Sequence, residues 1–367
     1  MVSGLASSLA DKRVVICAGA GGVGKTTVSA AVALGLAARG RRVAVVTIDP
    51  ARRLAEALGL DELGNQPQPE DPARFAGSGL ELRGELSAMM LDSKRTFDEL
   101  IDRLAPNPRT RDQILADPIY QHLSTAVAGS QEYTAIAKLF ELARERVYEA
   151  IVLDTPPSRS AIDFLRAPER LIGFLEGRAL AAFMRPTGRV ARAAGVVFAP
   201  LRRIAGVGLL DDLTTFFALL GGLLEGFRTR AADVRQLLTD PATGFLVITT
   251  PERVALDEAI YFSAELEREG MHRSAVIVNR VHPLDPDERD AATTAARLRG
   301  ALGAPLARLV ARTHADLQLL ARSDQEALNR LHQALPAPEP LHLADREADV
   351  HDIPALVDLH RELFGAA

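Results

Sequence analysis

Val14-Val15-Ile16-Cys17-Ala18-Gly19-Ala20-Gly21-Gly22-Val23-Gly24-Lys25-Thr26-Thr27 decides the fold of this 367-residue chain. Its first five residues form an apolar run, which predicts a strand buried on both faces. Gly19 to Thr26 fit the pattern G-x-x-x-x-G-K-[ST], and Thr27 to Ala38 read as a helix. Phosphate binding needs that order. Glycines let backbone N–H groups close around phosphate oxygens, and a helix N-terminus adds partial positive charge. Lys25 can reach the β- and γ-phosphates, and the Thr26 hydroxyl can ligate Mg²⁺. Gly21, Gly22, Val23, Gly24, Lys25, Thr26 and Thr27 are therefore the candidate residues for holding a nucleoside triphosphate.

Working outward, the first 60 residues read strand–loop–helix–strand–loop–helix, with Val43 to Ile48 as the second strand, ending at Asp49-Pro50. Asn65 to Ser78 read as a loop, Leu80 to Leu91 as a strand, and Lys94 to Val147 as helical. Tyr133, Ile136, Leu139, Phe140, Ala143 and Val147 fall close to one helical face. Ala150 to Asp154 are another buried strand, Phe164 to Leu238 a long apolar-rich helical stretch, and strands return at Phe245 to Thr249 and Ala275 to Val278. Further helices, a proline-rich link from Ala334 to Pro340 and a terminal helix from Ile353 complete the chain. Alternating strands and helices imply an α/β fold with a mostly parallel sheet flanked by helices.

Composition sets the outer limits. Hydrophobic content of 47%, charged content of 25% and a formal charge of −5 are ordinary for a globular protein and give no electrostatic reason to expect nucleic-acid binding. Only four of 43 basic residues are lysines, so the positive charge is carried almost wholly by arginine. One cysteine, Cys17, rules out an internal disulfide or a cysteine-based metal site, and the eight histidines are scattered. Met1 to Ala10 lack the basic segment of a secretory leader. The charge-free run Leu213 to Leu224 is shorter than the ~18–20 residues of a membrane span. These features predict a cytoplasmic protein that meets a membrane only through a partner.

Two carboxylates stand where the chemistry would need them. Asp154 ends a buried strand, at the sheet edge where open α/β folds bind ligands, and can hold Mg²⁺ directly or through water. Asp49 ends the neighbouring strand and is the candidate for orienting an attacking water; with Lys25 it forms the candidate catalytic pair. It could also serve as the N-cap of a helix starting near Arg53. Thr26, Asp154 and Asp49 are the candidate metal-side residues.

Gly21 to Thr27, Asp49-Pro50-Ala51 and Asp154-Thr155-Pro156-Pro157 together resemble the deviant-Walker-A P-loop ATPases, above all the branch holding the arsenite-pump ATPase and the ATPase that guides tail-anchored membrane proteins. Leu86 to Asp92 resemble that family's third strand. Ile277-Val278-Asn279-Arg280 resemble its adenine-binding segment, and Pro340-Leu341 with Val350 to Leu356 its C-terminal adenine loop. The resemblance implies a P-loop NTPase fold with an inserted helical subdomain. Residues 1–92, 148–164 and 239–367 would form the nucleotide-binding core, and 93–147 and 165–238 the subdomain for a client or partner. It also implies Asn279, Pro340 and Val350 as base-side contacts, ATP and Mg²⁺ as substrate and cofactor, and a second ATPase subunit, either a copy or a paralogue. In the family Asp49's counterpart activates water from switch I, and Asp154 to Ser160 match switch II.

The departures are equally specific. The family's second lysine, which reaches the partner's phosphates, is replaced by Ala20; Arg52, Arg53 and Arg159 are the candidate substitutes. Switch II carries Pro156, Arg159 and Ser160 where the family commonly has Ala, Gly and His. No cysteine cluster exists for arsenite, and no C-x-x-C for a bridging zinc, so neither site is expected. The insertion offers Phe and Leu residues such as Phe164, Phe174, Phe216 and Phe227, which read first as core and second as a groove for a hydrophobic client or membrane-protein partner. The main expectation is an ATP-hydrolysing dimeric switch, acting in membrane-protein targeting or anion transport. The alternatives are a weakly catalytic subunit of a heterodimer, and then a chromosome- or division-site-positioning ATPase of the ParA/MinD kind.

Overall fold

The computed structural model describes residues 4–365 except 49–52, 61–62, 122–129, 156–165, 167–172, 174–215, 217–218, 220, 286–289 and 347. Eight strands are described: β1 (Val14–Ala18), β2 (Arg42–Thr47), β3 (Gln68–Pro69), β4 (Glu85–Met90), β5 (Ala150–Asp154), β6 (Thr243–Thr249), β7 (Arg273–Val281) and β8 (Leu341–Ala344). They form one sheet in the order β3-β4-β2-β5-β1-β6-β7-β8. Only β3, paired antiparallel to β4, departs from the parallel direction. The fold is thus the expected mostly parallel α/β sheet with flanking helices.

Alternation along β1 shows how the two faces are filled. Val14, Ile16 and Ala18 enter one apolar core, and Val15 and Cys17 enter the other. Helices α1 (Gly4–Leu9), α2 (Lys25–Ala38) and α3 (Arg53–Ala57) lie on the second core, with the short α4 (Ala73–Ala76) at its margin. The first core takes residues of α5 (Ser93–Leu104), α6 (Pro108–Ala116), α7 (Ser130–Glu145), α8 (Leu224–Thr239) and α9 (Arg253–Arg268). Three further helices, α10 (Ala291–Leu302), α11 (Ala304–Ala334) and α12 (Ile353–Phe364), follow β7.

Several expected elements change extent. The strand read from Leu80 starts only at Glu85; just ahead of it, Gly84 lies so close to the backbone of Gly40 and Arg41 that a Cβ would not fit. The helical stretch from Lys94 to Val147 is broken by caps. Asp92 accepts from the Arg95 N–H at 2.9 Å to start α5, and Asn107 accepts from the Thr110 N–H at 2.9 Å to start α6. α7 buries Ile136, Leu139 and Phe140 as the pattern predicted, but Val147 lies past its end and is 49% exposed. The loop from Asn65 to Ser78 contains β3 and α4, and Leu341 opens the edge strand β8. Phe216 and Phe227 are core residues; Phe164 and Phe174 lie outside the described residues.

α2 carries the phosphate loop at its N-terminus and is buried on every side, with Thr27 alone partly exposed. Its small residues let the sheet and α12 pack on it together. Gly35 is required there, since a Cβ would strike the Phe364 ring. The Arg39 guanidinium lies 4.6 Å from the centre of that ring and donates to the Phe364 carbonyl at 3.1 Å. His360 is fully buried beside them, and neither ring nitrogen has a hydrogen-bond partner. Burial, then the charges of Arg39 and Arg361, push its pKa down to about 4.

The unfolded chain therefore takes up a proton on His360 near its ordinary pKa of about 6.5, and the folded chain does not. Stability is present above that range and is lost as pH falls through it. Between pH 7 and pH 5 this group costs about 2 kcal/mol. His360→Leu should flatten that part of the melting-temperature profile and stabilise the protein at pH 5. Parallel profiles for the two proteins would rule out His360 as the titrating group.

Candidate active site

The phosphate loop occupies the turn between β1 and α2, at the carboxyl edge of the sheet. β1 pairs with β5 on one side and with β6 on the other, so the loop faces the crevice where the strand order reverses. Gly22 and Gly24 hold φ of 82° and 91°, values an L side chain resists. The loop is gripped on both flanks. At Gly19 a Cβ would run into the Ile248 carbonyl of β6, and at Gly24 into the Asn279 carboxamide of β7. Asn279 Nδ2 in turn donates to the Val23 carbonyl at 3.0 Å. Arg280, the next residue, takes a left-handed φ of 61°, and the β7–β8 register shifts between Val278 and Val281. This irregularity lies beside the loop.

Lys25 is buried, and its ammonium donates to the carbonyls of Gly19 at 3.0 Å and Ala20 at 2.9 Å. The amine thus lies within the curl of the loop. Asp154 is 1% exposed at the end of β5. Its Oδ2 accepts from Thr26 Oγ1 at 2.7 Å and from Thr47 Oγ1 at 2.8 Å. Register explains the arrangement, since Asp154 pairs with Cys17 on one side and Thr47 on the other. Thr155 caps the same row, its hydroxyl donating to the Cys17 carbonyl at 2.9 Å. Burial pushes the Cys17 thiol up to about 12, so it stays a neutral packing group.

A cleft of about 560 Å³ opens above this row, within the usual range for a small-molecule site. Gly22, Gly24, Lys25, Thr26 and Thr27 line one end. Arg53, Glu56, Thr155, Arg280, Asp349, Val350 and His351 complete the lining. The structure thus brings together the loop, Thr26 and Val350 of the expected set. Gly21 is exposed on the outer loop, and Val23 is buried behind it. Pro340 is buried ahead of β8, away from the lining residues. Asp49, Arg52 and Arg159 lie outside the described residues. His351 belongs to the segment Val350 to Leu356 read as the adenine loop, whereas Thr47, Glu56 and Asp349 were not expected from sequence. Thr47 could have been found only from the pairing of β2 with β5, and Asp349 from its position beside Val350.

The donor set fits magnesium-bound polyphosphate. Thr26 and Asp154 supply hard oxygens, the loop and helix N-terminus supply N–H groups, and Lys25 supplies a positive charge. A parallel sheet with this loop after its first strand and this carboxylate after an adjacent one defines a P-loop NTPase. Residues 12–300 match the family model described as anion-transporting ATPase, and the chain belongs to that family. It is an ATPase. Among its relatives, ATPase GET3 of Malassezia globosa is 27% identical over 270 residues, covering 73% of this chain and 72% of that protein. The putative arsenical pump-driving ATPase 1 of Aquifex aeolicus is 26% identical, covering 74% of this chain and 64% of its own length. ATPase ARSA1 of Chlamydomonas reinhardtii is 28% identical over 302 residues, but only 36% of it is covered.

The bond from Asn279 to Val23 gives the residue a measurable share in holding the loop. Asn279→Ala should weaken inhibition of ATP turnover by magnesium tripolyphosphate about five- to tenfold, the worth of one part-buried hydrogen bond. A residue that touched the base alone would leave this base-free ligand unaffected while raising KM for ATP.

Proposed function

We propose that this ATPase is a Mg-ATP-driven dimeric switch, coupled to a helical client- or partner-binding subdomain. The observation that carries the reading is the Thr26–Asp154–Thr47 triad beneath the phosphate loop. It is a fixed, buried carboxylate beside the hydroxyl that a phosphate-bound metal would use. Magnesium, when bound, would neutralise charge developing on the β- and γ-phosphates. In this reading Gly21 to Thr27 cradle the phosphates, Thr26 and Asp154 hold the metal side, and Asp49 orients the attacking water. By the family resemblance Asn279, Pro340 and Val350 would serve the base; of the three, Val350 lines the cleft and Asn279 also holds the phosphate loop.

The core would comprise 1–92, 148–164 and 239–367, with 93–147 and 165–238 as the subdomain. Relatives named as GET3 and as an arsenical pump-driving ATPase support a role beside membranes, in protein targeting or anion transport, on behalf of a hydrophobic client or membrane-protein partner. The protein would act in the cytoplasm, and no described helix is long and apolar enough to cross a membrane.

Ala20 supports a second reading, a nucleotide-binding subunit that needs a paralogous partner to turn over. Arg53 lines the cleft and is the one of the three candidate cations among the described residues. Mg-ATP turnover per molecule, followed across protein concentration with Asp49→Asn as control, separates the two. Turnover that rises with concentration and falls at least a hundredfold in Asp49→Asn (about 3 kcal/mol of transition-state stabilisation) supports the self-sufficient dimer. Nucleotide binding with no turnover at any concentration would overturn it in favour of the partner-dependent subunit.

A further inference from the structure

α10 and α11 form a hairpin joined by the single residue Gly303, which caps both helices at a φ of 73°. The 31 residues of α11 make a rod about 46 Å long. Its C-terminal end is anchored, with Leu328 and Leu331 in the core beneath the sheet. Its N-terminal end is not. There the buried positions are Ala307 and Ala311, small residues that suit close approach of α10. α10 itself has no buried residue.

The remaining apolar side chains at this distal end are in water. Leu302 is 39% exposed, Leu306 47%, Leu309 62% and Val310 39%. From Ala291 to Ala315 the sequence holds four arginines, Arg297, Arg299, Arg308 and Arg312, and no aspartate or glutamate. The rest of α11 is mixed, with Asp316, Asp324 and Glu326 beside Arg322 and Arg330, and Asp285 and Asp290 stand ahead of α10. A chain of net charge −5 thus extends a cationic, leucine-bearing end away from its body.

We propose that the distal end of this hairpin docks on an anionic lipid surface. Leucines enter the boundary between headgroups and acyl chains, while arginine stems lie along it and their guanidinium groups reach lipid phosphates. A second copy of the chain fits the same face poorly. Symmetric pairing of tips would set arginines against arginines with no carboxylate between Ala291 and Ala315 to relieve them. The tip's four partly exposed aliphatic side chains also fall well short of the roughly 800 Å² that each partner buries in a stable interface, and the exposed Leu317, Leu319 and Leu320 lie further along α11, where its carboxylates begin. The proposal does not depend on the nucleotide-site reading.

Flotation of the full chain with phosphatidylcholine vesicles, with and without about 30% phosphatidylglycerol, tests it. Binding is expected on the anionic vesicles alone, weakening with salt. Arg308→Glu combined with Arg312→Glu should lower it about tenfold or more, and Leu306→Ser combined with Leu309→Ser should do likewise. None of these side chains lines the cleft, so all variants should keep wild-type ATP turnover. Because Cys17 is buried, Leu302→Cys can be labelled selectively with an environment-sensitive dye. Its emission should shift to the blue on anionic vesicles, and that of a label at Gln325→Cys should not. Equal binding to neutral and anionic vesicles, no binding, or an unshifted label at position 302 would overturn the proposal. So would unbound vesicles together with a change in molecular mass of the leucine variant, which would give the face to a protein partner.

Discussion

One carboxylate organises the functional edge of this protein. Asp154 sits 1% exposed, and two threonine hydroxyls, from different elements, donate to the same oxygen. An ionised group buried without such partners would cost several kcal/mol. Thr26 ties it to the helix that carries the phosphate loop, and Thr47 ties it to β2, whose last residue precedes Ile48 and Asp49. Three loops that leave the sheet at its carboxyl edge are therefore joined at one atom. Loss of either hydroxyl would leave part of that charge uncompensated in a site where water enters poorly.

The rest of the fold keeps this edge rigid. α2 is buried all round because the sheet lies on one side and α12 on the other, and its alanines and Gly35 set how closely both approach. Asn279 and the backbone at Ile248 hold the phosphate loop from β7 and β6. Loop glycines are needed here for two separate reasons. Gly22 and Gly24 need positive φ, whereas Gly19 and Gly24 need the absence of a Cβ against a neighbouring strand.

The parts of this design that were legible in the sequence are those set by local pattern. β1 and β5 run over the expected residues, because a strand buried on both faces leaves an uninterrupted apolar run. α12 begins at Ile353 as expected, with Asp352 as its cap and Pro354 in its first turn. Contacts set by register were not legible. Thr47 reaches Asp154 through the pairing of β2 with β5, which joins residues 107 positions apart. Edge strands β3 and β8 are two and four residues long, too short for a periodicity to separate them from loops. Arg280, part of the segment read as base-binding, lines the cleft, and its left-handed backbone coincides with a shift in β7–β8 pairing that no local pattern shows.

The helices beyond the sheet share its core, and charge gives them their mutual orientation. Phe97, Ile136, Phe216 and Phe227 pack with Val46, Met89 and Leu153 of the strands, so the apolar interior runs unbroken from sheet to helices. Inside it lies Glu141 of α7, 6% exposed, which pairs with Arg103 of α5 at 2.6 Å and accepts from Arg230 of α8 at 2.8 Å. Apolar residues of the same volume would hold these helices together at least as firmly. What the ions add is direction, because a guanidinium meets a carboxylate in few geometries. The same system reaches the sheet edge. Lys138 approaches Glu99 at 3.5 Å, Asn65 donates to Glu99 at 3.4 Å, and the Asp92 N–H just after β4 donates to Asn65 at 2.9 Å. α5, α7 and α8 are thereby tied to one another and to the end of β4.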